Sequence, residues 1–211
     1  DMSRWKGKIV SGSGARILTA VANSAYKRDD WLSLSSRSHL KDFSINLEDE
    51  SEENAVMTGE ISVMAGQGNS PASELALRPL SSEVVLRSIS CDFTGKPYSG
   101  KRLTDVKVYL TNVNAEIPIL EDEEGGPRRI INAGGLCEEE VDAFACRDII
   151  VQNIRNGIGK SVIYPDIRLR CYRNEGIKES PGTPFTRLVI EGMLDGELYY
   201  WPIDINRDAD S

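Results

Sequence analysis

The 211-residue sequence predicts an all-β protein of sandwich type. Short apolar runs with a period of two recur along the chain, separated by Gly, Pro, Asn and Ser. Residues 186–206 read as a hairpin folded about Asp195-Gly196, a pair that tolerates the positive φ of a tight turn. Helical periodicity is sparse, and repeated short strands with only one or two short helices indicate stacked sheets.

Taken in order, strands are expected at residues 15–22, 61–64, 74–77, 83–93, 105–113, 163–172, 188–194 and 198–205. In the fourth, Val85, Ile89, Cys91 and Phe93 share one face, with Arg87 an exception at its edge. Val106, Val108 and Leu110 alternate with Lys107 and Tyr109 in the same way. The last arm is aromatic, then places Asp204 between Ile203 and Ile205, the pattern of a half-buried strand. Its Pro202 cannot donate to a ladder and belongs on an edge strand or at a bulge. Leu188, Ile190, Asp195, Gly196, Tyr200, Pro202, Ile203 and Ile205 therefore form a candidate edge hairpin, where another strand docks.

Two segments carry helical character. Asp29-Asp30 cap a helix expected through about Leu47, with Trp31, Leu34, His39, Leu40, Phe43 and Leu47 as an irregular stripe. Residues 138–146 are expected to form one or two turns, the three glutamates sitting at the positive end. Gly95, Pro97, Ser99 and Gly100 mark a boundary that divides the chain into residues 1–97 and 98–211. The acidic runs at 48–53 and 121–124 read as solvated loops, since neither has the ligand spacing of an EF-hand.

Chemistry is thinly provided for. A net charge of −8 and a pI near 4.9 argue against a nucleic-acid or anionic-membrane partner. No apolar run approaches the length of a membrane span, and any export signal is expected outside this chain. His39 is the single histidine, and no G-x-S-x-G elbow accompanies it. Gly157-Ile158-Gly159-Lys160-Ser161 imitates the end of a phosphate-binding loop, but Ile154 stands where that pattern needs glycine and Pro165 soon stops the chain. No catalytic residue, cofactor or metal is expected. Trp5, Trp31 and Trp201 read mainly as packing, with a sugar-binding surface as the minor alternative. Of Cys91, Cys137, Cys146 and Cys171, none are spaced C-x-x-C. Cys137 and Cys146 are near enough to close a short loop and are the candidate disulfide in an oxidising compartment; the alternative is four reduced thiols.

Several motifs carry a resemblance. Leu18-Thr19-Ala20-Val21-Ala22-Asn23-Ser24 ends a strand in Ala-Asn, and Val56-Met57-Thr58-Gly59-Glu60 holds a Met-Thr-Gly turn. Leu77-Arg78-Pro79-Leu80-Ser81-Ser82-Glu83-Val84 and Val108-Tyr109-Leu110-Thr111-Asn112-Val113-Asn114 follow, then the Tyr199-Tyr200-Trp201-Pro202 strand. In order and spacing these segments resemble the fimbrillin superfamily of Bacteroides-type surface proteins. The resemblance implies two tandem transthyretin-like β-sandwich domains, with the third motif closing the first domain and the fourth opening the second. It also implies export as a lipoprotein, location at the outer membrane or in an extracellular fimbria, and partners that are other fimbrial subunits joined by donor-strand exchange, without catalysis. Family members carry further strands at both ends, expected here to be trimmed, left out or supplied by another chain. Four cysteines suit an accessory, tip or anchor subunit better than a stalk pilin. The alternative of another class is a free-standing sandwich that binds host or bacterial surface glycans or proteins.

Overall fold

The structure is a computed structural model that describes residues 4, 6–9, 11–34, 36–50, 55–66, 73–120, 128–174 and 185–205. In chain order the strands are β1 (Gly14–Ala22), β2 (Ser44–Asn46), β3 (Met57–Ala65), β4 (Arg78–Pro79), β5 (Ser81–Leu86) and β6 (Thr104–Thr111). They continue as β7 (Val113–Pro118), β8 (Arg129–Ile131), β9 (Val151–Ile154), β10 (Ile167–Tyr172), β11 (Arg187–Leu194) and β12 (Glu197–Asp204). Three short helices, α1 (Arg28–Leu32), α2 (Arg37–Asp42) and α3 (Glu138–Ala143), lie between them. The chain is all-β, as its alternation predicts.

The strands form three antiparallel sheets, ordered β1-β3-β4, β2-β7-β10-β5 with β8 on the free side of β7, and β12-β11-β6-β9. The second and third sheets close over one core that includes Val106, Val108 and Leu110 of β6, Leu169 of β10 and Leu188 of β11. One stretch of chain serves both. β6 belongs to the four-stranded sheet and β7, one residue later, to the five-stranded sheet. The residue between is Asn112, at φ 54°, a left-handed conformation that asparagine tolerates better than most side chains. Asn112 is buried and fully engaged: its Oδ1 accepts from the Gly134 amide at 2.8 Å, and its Nδ2 donates to the Phe185 carbonyl at 2.8 Å. Its own amide donates to the carbonyl of Asn132, a second buried asparagine at φ 54°.

Several expectations are corrected. The single helix from Asp29 to Leu47 is two helices, because Ser36 caps a new start by accepting from the His39 amide, and β2 then leaves to pair with β7. Burial of Ile45 in the shared core outweighs local helix propensity there. Residues 74–77 are not a strand. The strand expected over 83–93 ends at Leu86. Beyond it only an Ile89–Ile163 bridge and a Cys91 amide to Gly159 carbonyl bond continue, since Gly157, Gly159 and Pro165 opposite cannot hold a regular ladder. Of the acidic run at 48–53, Glu50 is buried rather than solvated and Glu48 pairs with Arg129 at 2.9 Å. Asp49 is exposed, as expected, while residues 51–53 and the run at 121–124 lie outside the described residues. β2 and β5, which precede residue 97, pair with β7 and β10, which follow it.

Candidate functional site

The β11–β12 hairpin turns through Asp195 at φ 53° and Gly196 at φ 87°, the two positive values of a two-residue hairpin loop. Its register is unbroken, from Leu194 opposite Glu197 to Arg187 opposite Asp204. In such a ladder hydrogen-bonded pairs alternate with non-bonded ones, starting from the bonded pair beside the turn. The Ile205 amide donating to the Thr186 carbonyl at 3.0 Å continues the bonded set. Leu198, Tyr200 and Pro202 therefore belong to the set whose backbone groups point away from β11. Pro202 sits where its missing N–H removes no bond to β11, which is why a proline is accommodated in this strand.

β12 is the outermost strand of its sheet among the described residues. Its side chains are exposed on both faces, Tyr200 at 55% and Leu198 at 46% on one, Ile203 at 47% and Trp201 at 37% on the other. Residues 198–203 are Leu-Tyr-Tyr-Trp-Pro-Ile, with no charge. Edge strands in monomeric proteins are ordinarily blunted by charges, bulges or covering loops; here Glu197 and Asp204 stand only at the two ends and Pro202 is the one interruption. β11, one strand inward, is covered: Leu188 and Val189 are buried and Ile190 half-buried. The predicted hairpin residues thus split into an inner arm of packing residues and an outer arm of exposed ones.

Ion pairs and hydroxyls fix the hairpin to the body. Arg187 Nε meets Asp204 Oδ1 at 2.7 Å across the ladder, and Lys101 pairs with Asp195 in the turn. Tyr109 donates to Glu191 Oε2 at 3.0 Å, and burial, reinforced by that carboxylate, raises the phenol above its ordinary pKa. The Tyr98 and Tyr199 hydroxyls share a hydrogen bond of 2.7 Å, while Tyr199 donates to Glu197 at 2.9 Å. These contacts extend a row of rings, Phe93, Tyr98, Tyr199 and Trp201, with centroids 6.0–6.2 Å apart. The Gly- and Pro-containing loop at 94–100 is thereby packed on the hairpin. A close approach also shapes β11: a Cβ on Gly192 would lie 2.7 Å from Leu103 Cγ, so only glycine lets Leu103 reach the strand. No sequence signal marks that requirement, since a glycine in a strand reads equally as a bulge.

The remaining predicted residues are dispersed. All four cysteines are free in this structure, and the expected Cys137–Cys146 pairing is not formed in it. Cys137 is the residue before helix α3, and Cys146 lies in the turn after it. The Cys146 thiol instead donates to the Glu48 carbonyl at 3.4 Å. Titration of the denatured, unreduced protein is expected to count four thiols. Cys171 is buried in apolar surroundings, and its pKa is pushed up to about 11. His39 lies exposed on α2. Residues 157–161 form an extended loop bridged to Leu103 through Ile158, with no helix after them. Trp31 packs with Tyr26 and Phe43, and Trp5 is outside the described residues. Among the described residues no group of three or more His, Cys, Asp and Glu is placed to hold a metal.

No protein-family model and no curated protein matches this chain. Solved structures do. A candidate cell adhesion protein from Parabacteroides distasonis ATCC 8503 superposes with a TM-score of 0.66 at 13% identity, over 92% of this chain and 60% of that one. A candidate cell adhesion protein from Bacteroides eggerthii DSM 20697 gives 0.64 at 15% identity, over 92% and 62%. A second Parabacteroides distasonis protein of the same description gives 0.56 at 11%, over 92% and 69%. The chain therefore spans about three fifths of the length of the first two. In fold, this chain is similar to these three candidate cell adhesion proteins from Parabacteroides and Bacteroides.

Proposed function

We propose that this chain is a structural subunit of a bacterial surface fimbria or adhesive assembly, exported to the cell surface, outer membrane or extracellular fimbria. It joins other fimbrial subunits by β-strand addition and does no catalysis. The observation that carries this reading is β12, an eight-residue outer strand whose six central residues, 198–203, are uncharged and largely exposed. An added strand satisfies both deficits at once, its backbone completing the ladder and its alternate side chains covering the apolar row. The named function of the superposable proteins and the order of the sequence motifs support an adhesive setting for it.

Thermal melting with extended peptides of alternating apolar sequence tests the mechanism. A peptide that pairs with β12 raises the melting temperature of the wild type. Tyr200→Pro keeps the β11–β12 ladder, because the Tyr200 amide faces outward, yet removes an outward donor and is expected to abolish the shift. No shift for any peptide at saturation counts against strand addition at this edge. A second reading, a free-standing glycan- or protein-binding sandwich, draws on Trp201, which lies stacked on Tyr199 and partly exposed. Binding on a glycan array by a strict monomer is the outcome that favours it.

A further inference from the structure

Glu191 is the one charged side chain buried in the β12-β11-β6-β9 sheet, at 9% exposure. Carboxylates are depleted in strands and costly to bury without a partner. Its Oε2 accepts from Tyr109 at 3.0 Å. Among the described residues nothing pairs with Oε1, and no cation stands within ion-pairing distance of the group. Lys107 lies opposite Glu191 in the β6–β11 register, but its Nζ is committed to Glu138 at 2.7 Å.

The register carries this row to the edge of the sheet. Lys107 pairs with Glu191 and Glu191 with Tyr200, so the three side chains share one face. Glu191 stands on the second strand from the edge and Tyr200 on the edge itself. A strand added to β12 puts one residue opposite Tyr200 on that same face, whether it runs parallel or antiparallel. The Cα of that residue lies about 10 Å from the Cα of Glu191, two strand spacings away. A long basic side chain laid across the exposed Tyr200 ring spans the interval, its stem on the ring and its charged end at the carboxylate. A short or apolar residue there leaves Oε1 without a partner, and an acid adds a second negative charge. The same chemistry excludes one occupant. β12 of a second copy offers Glu, Leu, Tyr, Tyr, Trp, Pro, Ile and Asp, with no cation and an acid at each end.

We propose that the strand completing the sheet at β12 is an extended segment of another subunit, distinct in sequence from β12, with a lysine or arginine opposite Tyr200 that pairs with Glu191. Its alternate residues, beside Trp201 and Ile203, are apolar. The proposal rests on strand addition at β12 and names the partner's chemistry there. Glu191 also constrains register, because a slip of one residue turns the cation to the opposite face.

The test is fluorescence anisotropy with three labelled heptapeptides, Val-Thr-Val-X-Val-Thr-Val, carrying lysine, methionine or glutamate at X. The lysine peptide is expected to bind the wild type about tenfold more tightly than the methionine peptide, the lower end for a hydrogen bond to a charged group. The glutamate peptide is expected to bind least. In Glu191→Gln, which keeps an acceptor for Tyr109, the lysine preference is expected to fall to about twofold or less. Glu197→Gln removes the same charge from the exposed start of β12 and is expected to keep the preference. That control separates pairing at Glu191 from the general attraction of an acidic molecule for a cationic peptide, and circular dichroism checks that both variants are folded. Equal binding of the lysine and methionine peptides to the wild type overturns the proposal and leaves strand addition standing. So does a lysine preference that survives in Glu191→Gln, or one that falls equally in Glu197→Gln. Failure of all three peptides to bind overturns strand addition at β12, and this proposal with it.

Discussion

The β1-β3-β4 sheet and the β12-β11-β6-β9 sheet are built from ladders of similar length and reach opposite states of burial. β1 and β3 pair over nine residues, β11 and β12 over eight. Yet no residue of β1, β3 or β4 is buried, whereas β6 and β11 each bury five. Backbone pairing is therefore not what distinguishes them; coverage is. A ladder bond exchanges water for peptide and contributes little net free energy, while burying a large apolar side chain contributes about 2 kcal/mol. The first sheet holds its shape largely by pairing, and the second by packing.

Truncation of one leucine in each sheet gives the largest expected contrast. Leu110→Ala, in the closed core, is expected to cost about 2–5 kcal/mol in denaturant unfolding, and Leu18→Ala, on half-buried β1, about 1 kcal/mol or less. Native-state hydrogen exchange sharpens the same comparison. β6 and β11 amides should exchange only through global unfolding, and β1 and β3 amides through local opening at lower free energy. Equal protection in the two sheets breaks the comparison.

Next in size is Asn112→Ala, which keeps a left-handed backbone without the side chain that suits it and strands the Gly134 amide and Phe185 carbonyl. A loss of about 3 kcal/mol is expected. Gly192→Ala forces Leu103 aside and is expected to cost about 1–3 kcal/mol. Its counterpart in the open sheet, Gly59→Ala, meets the Ala76 carbonyl oxygen at 2.3 Å. That substitution should free residues 73–77 for proteolysis with little change in global stability.

The smallest effect concerns Glu50, at the passage from the core to β3. It accepts from Ser81 at 2.7 Å and Tyr172 at 3.0 Å, but burial dominates and raises its pKa. A carboxyl that binds its proton more tightly when folded contributes stability below its unfolded pKa and loses it as pH rises through the folded value. Glu50→Gln is thus expected to stabilise the protein at neutral pH, by ~1.4 kcal/mol for each pH unit separating the two titrations, and to flatten the pH dependence across that window. Urea midpoints of both proteins across that range check the sign.

What the sequence disclosed follows the range of the interaction responsible. The last hairpin is legible because Asp195-Gly196 is a local turn code and Pro202 a local veto on a central position. α3 is legible for the same reason, its glutamates crowding the first turn. β2, β8 and β9 span three or four residues each, too few to display a period, and exist because partners distant in sequence complete them. The pivot at Asn112 lay inside an apparently continuous strand, and only the two sheets on either side reveal it. Glu50 misled for a related reason: within an acidic run it looks solvated, and its burial depends on Ser81 and Tyr172, which meet it through β5–β10 pairing. The exposed row on β12 could be anticipated from its position, whereas the stack onto Tyr98 could not, since 100 residues separate Tyr98 from Tyr199.

The kink at Asn112 has a mechanical corollary. Were a neighbour to pull on β12, tension would enter through β11 and β6 in shear, loading many hydrogen bonds together rather than unzipping them singly. From β6 it would cross into the other sheet along covalent backbone, because β6 and β7 are one uninterrupted stretch of polypeptide. The two layers are tied by a peptide rod, so force at the rim is shared by both before either can slide off the other.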